Sequence, residues 1–229
     1  KIIILVDNGS TDGEIKVLKK SHPDVIFIEH RHNLSYCAAY NSGIKRALGY
    51  NASYISLVHN DSINYSKNYY LEVVKTFEND RNIGLVGTKV YTGEGVLDWG
   101  GENHQRLGID MNTPTCGYTI SNKAFEVTGL MDEKLGVFYE DLDFIHRLRK
   151  QGMKTKFTGK VSYDHLGSGT VKRSSYFFHY YRLRNTIWFI KKWYSDLNNY
   201  DLYLELRQSI QTHLEYVVDS LKKGNIKDA

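Results

Sequence analysis

Three apolar runs end in turns that carry an acid or a histidine, and helical segments fall between them. Ile2-Ile3-Ile4-Leu5-Val6 runs into Asp7-Asn8-Gly9-Ser10-Thr11-Asp12-Gly13, and Tyr54-Ile55-Ser56-Leu57-Val58 runs into His59-Asn60-Asp61. The third run, Thr155 to Asp164, leads into His165. Continuous β-branched runs of this kind predict strands buried on both faces. Further strands are expected at Val25–Ile28, Ile83–Tyr91 and Thr115–Ile120. Helices are expected at Glu14–Lys20, at Ala38 to Leu48 and at Lys123–Thr128, the last closed by Gly129. Another should follow an N-cap at Ser66, with Tyr70, Val73, Val74 and Phe77 on its apolar side. Such alternation predicts an α/β layer with a mostly parallel sheet. Ligands of open α/β sheets bind beyond the carboxyl ends of strands, so Asp7, Asp61 and His165 are expected to meet in one polar site.

A fourth contribution comes from Phe138-Tyr139-Glu140-Asp141-Leu142-Asp143, three carboxylates within four positions. From Asp141, the residues Phe144, Ile145 and Leu148 follow at i+3, i+4 and i+7, one apolar helix stripe that Gly152 is placed to stop. Acids in a first helical turn ordinarily complement the helix dipole, and that alone accounts for most of them. Here the strand-end acids give the cluster a second reading, as part of a site. An Asp and a His with open positions suit Mg²⁺ or Mn²⁺ holding a diphosphate, since hard oxygen ligands dominate and no thiolate is offered.

Composition removes several classes. A net charge of +4 over 229 residues gives no argument for nucleic acid. Cys37 and Cys116 are far apart with no metal-finger spacing, which fits a reducing compartment. Neither a signal peptide nor a long apolar run leads the sequence. G-x-x-x-x-G-K-[ST], G-x-G-x-x-G and G-x-S-x-G are all missing, which argues against P-loop enzymes, Rossmann dehydrogenases and α/β-hydrolases. From Gly93 to Pro114 the pattern weakens into a Gly-rich polar region of hairpins or a mobile loop. After Ser174 it turns aromatic and basic: Tyr180, Tyr181, Trp188 and Trp193 stand among Arg182, Arg184, Lys191 and Lys192. Two units are therefore expected, residues 1–173 and a helical extension over 174–229. The extension is read either as a face for an anionic membrane or as a helix that packs on the core or on a second copy of the chain.

These motifs resemble, in order, those of inverting family 2 glycosyltransferases with the GT-A fold. Val6-Asp7-Asn8-Gly9-Ser10-Thr11-Asp12-Gly13 is similar to the nucleotide-binding loop, and Asn33 to Ile44 to the N-x-G-x-x-x-x-x-N-x-G-I helix entry. His59-Asn60-Asp61-Ser62 stands at the metal-binding D-x-D motif, Phe138 to Asp143 at the E-D motif, and Asp164 to Ser168 at the late histidine segment. The likeness covers about Lys1 to Arg184 and is nearest the rhamnosyl- and galactosyltransferase-like branch that builds bacterial surface polysaccharides.

The resemblance implies an enzyme that moves a sugar, with inversion, from a UDP- or dTDP-sugar to an acceptor hydroxyl. The acceptor would be a glycan or lipid-linked glycan. Asp7 and Asn8 would hold the nucleotide with Asn33, Asn41 and Asn60. Asp61, His165 and His59 would bind a divalent cation, Mn²⁺ or Mg²⁺. Asp141 would be the base, Glu140 would orient the acceptor and Gly117 would lie close to the donor sugar. The setting would be bacterial and cytoplasmic, with peripheral contact on the inner membrane face and scope for a homo-oligomer. The alternative is a non-catalytic nucleotide-sugar-binding or structural domain.

Three departures stand out. The family's first strand and helix ordinarily precede the first loop, and this sequence begins almost at that loop, so a sheet without that strand is expected. His59 replaces the first acid of D-x-D, and Ser35 stands where glycine usually follows Asn33-Leu34.

Overall fold

The computed structural model describes residues 1–99, 105–106, 109–110, 117–167, 175–196 and 199–222. In chain order the elements begin with β1 (Ile4–Asp7), α1 (Glu14–Ser21), β2 (Ile26–Glu29), α2 (Tyr36–Leu48), β3 (Tyr54–Ser56) and β4 (Ser62–Ile63). Next come α3 (Tyr69–Asn79), β5 (Ile83–Thr92), β6 (Leu97–Trp99), β7 (Gln105–Arg106), β8 (Ile109–Asp110) and β9 (Thr119–Ser121). The last are α4 (Asn122–Thr128), α5 (Glu140–Lys150), β10 (Lys154–His165), α6 (Tyr176–Trp193) and α7 (Asn199–Lys222).

β1 and β2 pair in parallel, while a second sheet runs β3-β9-β5-β10-β4 with β6 beside β5. β3 and β5 are each antiparallel to β9, and β5 is parallel to β10. β3, β5 and β10 therefore all point the same way, as the strand–helix alternation predicts. The antiparallel pairs arise because β9 is inserted between β3 and β5 and because the short β4 turns back along the end of β10.

Several boundaries differ from expectation for physical reasons. Ile2 and Ile3 are 52% and 53% exposed, so the first apolar run is not buried on both faces. α3 is entered from Asn68 in the left-handed region, while Ser66 bonds Ser162 on β10 through both its hydroxyl and its backbone N–H. That tie moves the buried face of α3 to Tyr69, Val73 and Phe77. Of the polar region Gly93–Pro114, a turn over residues 93–96 leads into β6, and β7 and β8 follow; the remainder lies outside the described residues. The boundary expected at residues 173 and 174 lies outside them as well.

One core joins α2, β3, β9, α4 and α5 through Cys37, Ile44, Ile55, Ile120, Phe125, Phe144 and Leu148, and Phe189 of α6 belongs to the same cluster. The aromatic and basic stretch is therefore divided. Phe189 is buried, Trp193 packs on the core, Arg184 reaches the carbonyl of Lys134, and Lys192 pairs with Asp132 and Asp143. Tyr176, Phe177, Tyr180 and Trp188 stay outside. Among the described residues no helix is long and apolar enough to cross a membrane.

α2 begins at a strained corner. Ser35 has φ 103° and ψ 164°, a region that only glycine enters freely. Its hydroxyl caps Ala38 N, its N–H donates to Asn33 Oδ1, and its carbonyl accepts from Asn8 Nδ2. The strain is on the order of 1–3 kcal/mol. A glycine there would forfeit a few tenths of a kcal/mol of capping and about 0.5–1 kcal/mol of chain entropy. We therefore expect Ser35→Gly to raise the unfolding free energy by about 1 kcal/mol in urea titration, and a loss of stability would show that the corner is unstrained.

Candidate active site

The antiparallel pairing of β4 with the end of β10 sets Ser62 opposite His165 and Ile63 opposite Asp164. Leu166 N donates to Asp61 O at 3.0 Å, which fixes the two segments side by side. As a result His165 Nε2 lies 3.3 Å from Asp61 Oδ1, and His59 Nδ1 lies 4.0 Å from the same oxygen. One ligand atom from each of His59, Asp61 and His165 falls within 4.8 Å of the others.

Among the described residues Asp61 Oδ1 is buried and accepts no well-formed hydrogen bond, with only the two imidazole nitrogens near it, a costly state for a carboxylate oxygen unless a cation serves it. Burial and the neighbouring His165 pull the His59 pKa down to about 4, against the opposing pull of Asp61, so the ring is neutral and can act as a ligand. Two imidazoles and a carboxylate fit a divalent transition-metal ion such as Mn²⁺ better than an all-oxygen ion such as Mg²⁺. The residues present fit the group.

His59 ties this corner to the rest of the site. Its Nε2 lies 2.5 Å from the hydroxyl of Tyr36 in the first turn of α2, and the Tyr36 ring packs on Tyr40 with centroids 4.5 Å apart. Burial drives the Tyr36 hydroxyl pKa well up, with Tyr40 and Glu140 adding to the rise. Tyr118 is raised in the same way by burial and then by Asp141 and Glu140. Leu57 N donates to Tyr118 O, carrying the β3–β9 ladder toward the His59 loop. Tyr36 thus links the His59 corner, through a hydrogen bond, to the electrostatic reach of Glu140, and Tyr118 feels both Asp141 and Glu140.

Glu140 and Asp141 open α5, and both are buried. Glu140 Oε2 has no partner among the described residues. Burial, followed by repulsion from Asp141, lifts Glu140 to about 8, against the pull of nearby backbone N–H groups. Near neutral pH Glu140 therefore holds its proton far more tightly than an ordinary carboxyl group does. Asp143, two residues on, does something else. It is fully buried and takes Arg147 Nε at 2.8 Å, Lys192 Nζ at 2.7 Å and Trp193 Nε1 at 3.0 Å, an anchor for α6.

The nucleotide-loop residues lie around α2. Asp7 is buried at the end of β1 and accepts from Ser10 N at 3.1 Å. Asn8 and Asn33 are stapled together, Asn8 Nδ2 to Asn33 Oδ1 at 3.1 Å and Leu34 N to Asn8 Oδ1 at 2.9 Å. Asn41 is buried, bonding Met131 O and Glu133 Oε1 through Nδ2 and Met131 N through Oδ1. Its side chain therefore positions the loop ahead of the acidic turn. Asn60 is exposed between the two candidate ligands His59 and Asp61. Gly117 has φ 69°, and a Cβ there would come within 2.5 Å of the Tyr163 hydroxyl. The close approach that Gly117 makes in this structure is to that ring.

Residues 2–136 match the family described as Glycosyl transferase family 2. The chain belongs to that family. Among curated proteins, this family 2 chain is 23% identical over 169 residues to the low-salt glycan biosynthesis hexosyltransferase Agl10 of Haloferax volcanii. That match takes in 66% of this chain and 54% of the relative, so the chain spans about half the length of the curated protein it matches. Among solved structures it is similar to GalNAc-T7 crystallised with UDP, GalNAc and Mn²⁺, with a TM-score of 0.59 and 15% identity. That likeness covers 81% of this chain and 44% of the other, and it shows the GT-A fold.

Sequence reasoning did not find Tyr36, Tyr40 or Tyr118 as site residues. An aromatic pair at i and i+4 on the first turns of a helix reads as core packing, and only the strand-end placement of His59 shows what it faces.

The Glu140 proton has a consequence for stability. Its folded value of about 8 lies above its usual 4.5, so the folded chain holds the proton more tightly than the unfolded one. The stability this supplies is fully present below pH 4.5 and is lost as the pH rises through about 8. Stability of the parent chain should therefore fall across this interval relative to Glu140→Gln, whose amide does not titrate. Urea midpoints for the two chains that stay parallel from pH 5 to pH 9 would show that Glu140 ionises normally.

Proposed function

We propose that the chain transfers a sugar from a nucleoside diphosphate donor to an acceptor hydroxyl with inversion at the anomeric carbon. The observation that carries this reading is the linkage of the acids to the carboxylate–imidazole corner. The buried, proton-holding Glu140 stands next to Asp141 and acts on Tyr36, which is hydrogen-bonded to His59 of the His59, Asp61 and His165 cluster. The donor diphosphate is assigned to the His59, Asp61 and His165 corner, and the acceptor hydroxyl to Asp141.

Asp141 takes the hydroxyl proton as the acceptor oxygen attacks the anomeric carbon, and the bond to the diphosphate breaks on the opposite face. Glu140, holding its proton, is free to donate a hydrogen bond to the acceptor without adding a second negative charge beside the base. Developing positive character at the anomeric carbon is favoured by a negative charge on Asp141. A divalent cation bound by His59, Asp61 and His165 would act as a Lewis acid for the negative charge gathering on the departing diphosphate.

Asp7 is assigned to the pyrimidine ring of UDP or dTDP. Asn8 and Asn33 shape the loop, Asn41 supports the neighbouring 131–133 segment, and Asn60 is assigned to the donor beside the His59 and Asp61 ligands. Gly117 is assigned to the donor side of the pocket through its contact with Tyr163. The acceptor is read as a glycan, supported by the likeness to a glycan-biosynthesis hexosyltransferase, and the rhamnosyl- or galactosyl-transferring branch is read from the motif set. The outward Tyr176, Phe177, Tyr180 and Trp188 are the residues available for contact with a lipid-linked acceptor at a membrane surface.

Asp141→Asn should lower turnover by about 10³-fold or more while UDP binding with Mn²⁺ stays within about twofold. Asp61→Ala should instead weaken that binding. Both are measured by UDP release and by calorimetric titration with UDP, dTDP and GDP. Parental turnover in Asp141→Asn would remove the base assignment.

A further inference from the structure

α6 lies outside the stretch that matches the family, yet it reaches directly into the turn that presents the acids. That turn is unusual in its backbone. Gly136, Phe138 and Tyr139 have φ of 72°, 67° and 69°, and two of these carry side chains that disfavour the left-handed region. Tyr139 enters α5 without a side-chain cap, so the conformation has to be fixed from elsewhere.

It is fixed from α6. Asn185 is 0% exposed, and its Nδ2 donates to the carbonyls of Leu135 at 2.8 Å, Val137 at 2.7 Å and Phe138 at 2.9 Å. One amide nitrogen thus serves three carbonyls of a single turn. Asn185 Oδ1 is buried with no hydrogen-bond partner among the described residues, and reversing the amide would set that oxygen against the same three carbonyls, so its orientation is fixed. The next residue, Thr186, places its hydroxyl 2.6 Å from that of Tyr139. Eight residues further along α6, Trp193 and its neighbour Lys192 hold Asp143 of α5, so the helix is locked to both ends of the acidic segment.

We propose that Asn185 and Thr186 are positioning residues for the transfer reaction: they hold the 135–139 turn in its left-handed conformation so that Glu140 and Asp141 face the acceptor. Neither residue touches a substrate. They act by setting where the two acids stand. The inference rests on the transferase reading of Glu140 and Asp141.

The test uses the full chain carrying Asn185→Asp, which keeps the side-chain shape and turns an ionised oxygen toward the three carbonyls. Hydrogen exchange of the amides of residues 136–143 should quicken about tenfold or more, with β1 and β3 unchanged. Turnover should fall about a hundredfold, the loss expected from misplacing a reacting group by about an ångström. UDP binding with Mn²⁺ should stay within about twofold, a split that a general loss of structure would not give. Tyr139→Phe, which removes one hydroxyl from the same contact, should lower turnover about three- to tenfold without slowing folding, and it decides the matter if Asn185→Asp does not fold. Unchanged exchange in Asn185→Asp, or parental turnover in either variant, overturns the proposal. A parent chain that binds UDP and Mn²⁺ but turns over no donor contradicts the transferase reading itself, while the exchange rates still decide whether Asn185 sets the turn.

Discussion

The contact on which the site depends is the one between Tyr36 and His59. It joins two segments that no sheet ladder connects, the first turn of α2 and the loop beyond β3. Tyr36 follows the strained Ser35, whose carbonyl is held by Asn8, and precedes Cys37, whose N–H donates to Gly136 O. Four chemically distinct parts therefore meet within three residues of the chain: the nucleotide loop, the ligand corner, the aromatic wall and the acidic turn. The phenol also fixes which nitrogen of His59 faces Asp61, a role that partners beyond the ligands commonly play at metal sites. A shift of α2 would move all four parts together.

Electrostatics gives the site its asymmetry. Two adjacent buried carboxyl groups cannot both ionise cheaply, and burial together with the Asp141 charge leaves the proton on Glu140. The third acid of the motif escapes this conflict by being neutralised with Arg147 and Lys192. Within one helical turn, carboxyl groups thus stand in two different states, a proton-holding Glu140 beside Asp141 and an ion-paired anchor at Asp143, and environment separates them.

The strand-end positions of Asp7 and His165 were legible because strand runs have a clear pattern, whereas Asp61 stands five residues past the end of β3, at the entry to β4. The course of β3, β5 and β10 in one direction was legible for the same reason, whereas the insertion of β9 between β3 and β5 was not. A three-residue strand such as Thr119–Ser121 carries too little pattern to reveal its neighbours. Ser35 was visible as a departure from a glycine pattern, and its φ of 103° supplies the physical reason that glycine suits the position. Asn185 could not be found from sequence, since an asparagine within an aromatic helix says nothing about the three carbonyls it meets from a turn about fifty residues earlier. The compositional change at Ser174 suggested an appendage, but Phe189 lies in the same core as Phe144, because long-range packing ignores local composition.

The most direct measurement is anomalous diffraction from crystals of the chain grown with Mn²⁺ and UDP. The account predicts one manganese peak bound by Asp61 Oδ1 and by imidazole nitrogens of His59 and His165, with the diphosphate on its open side and the pyrimidine near Asp7. UDP bound near Asp7 with no manganese among those three side chains would contradict it.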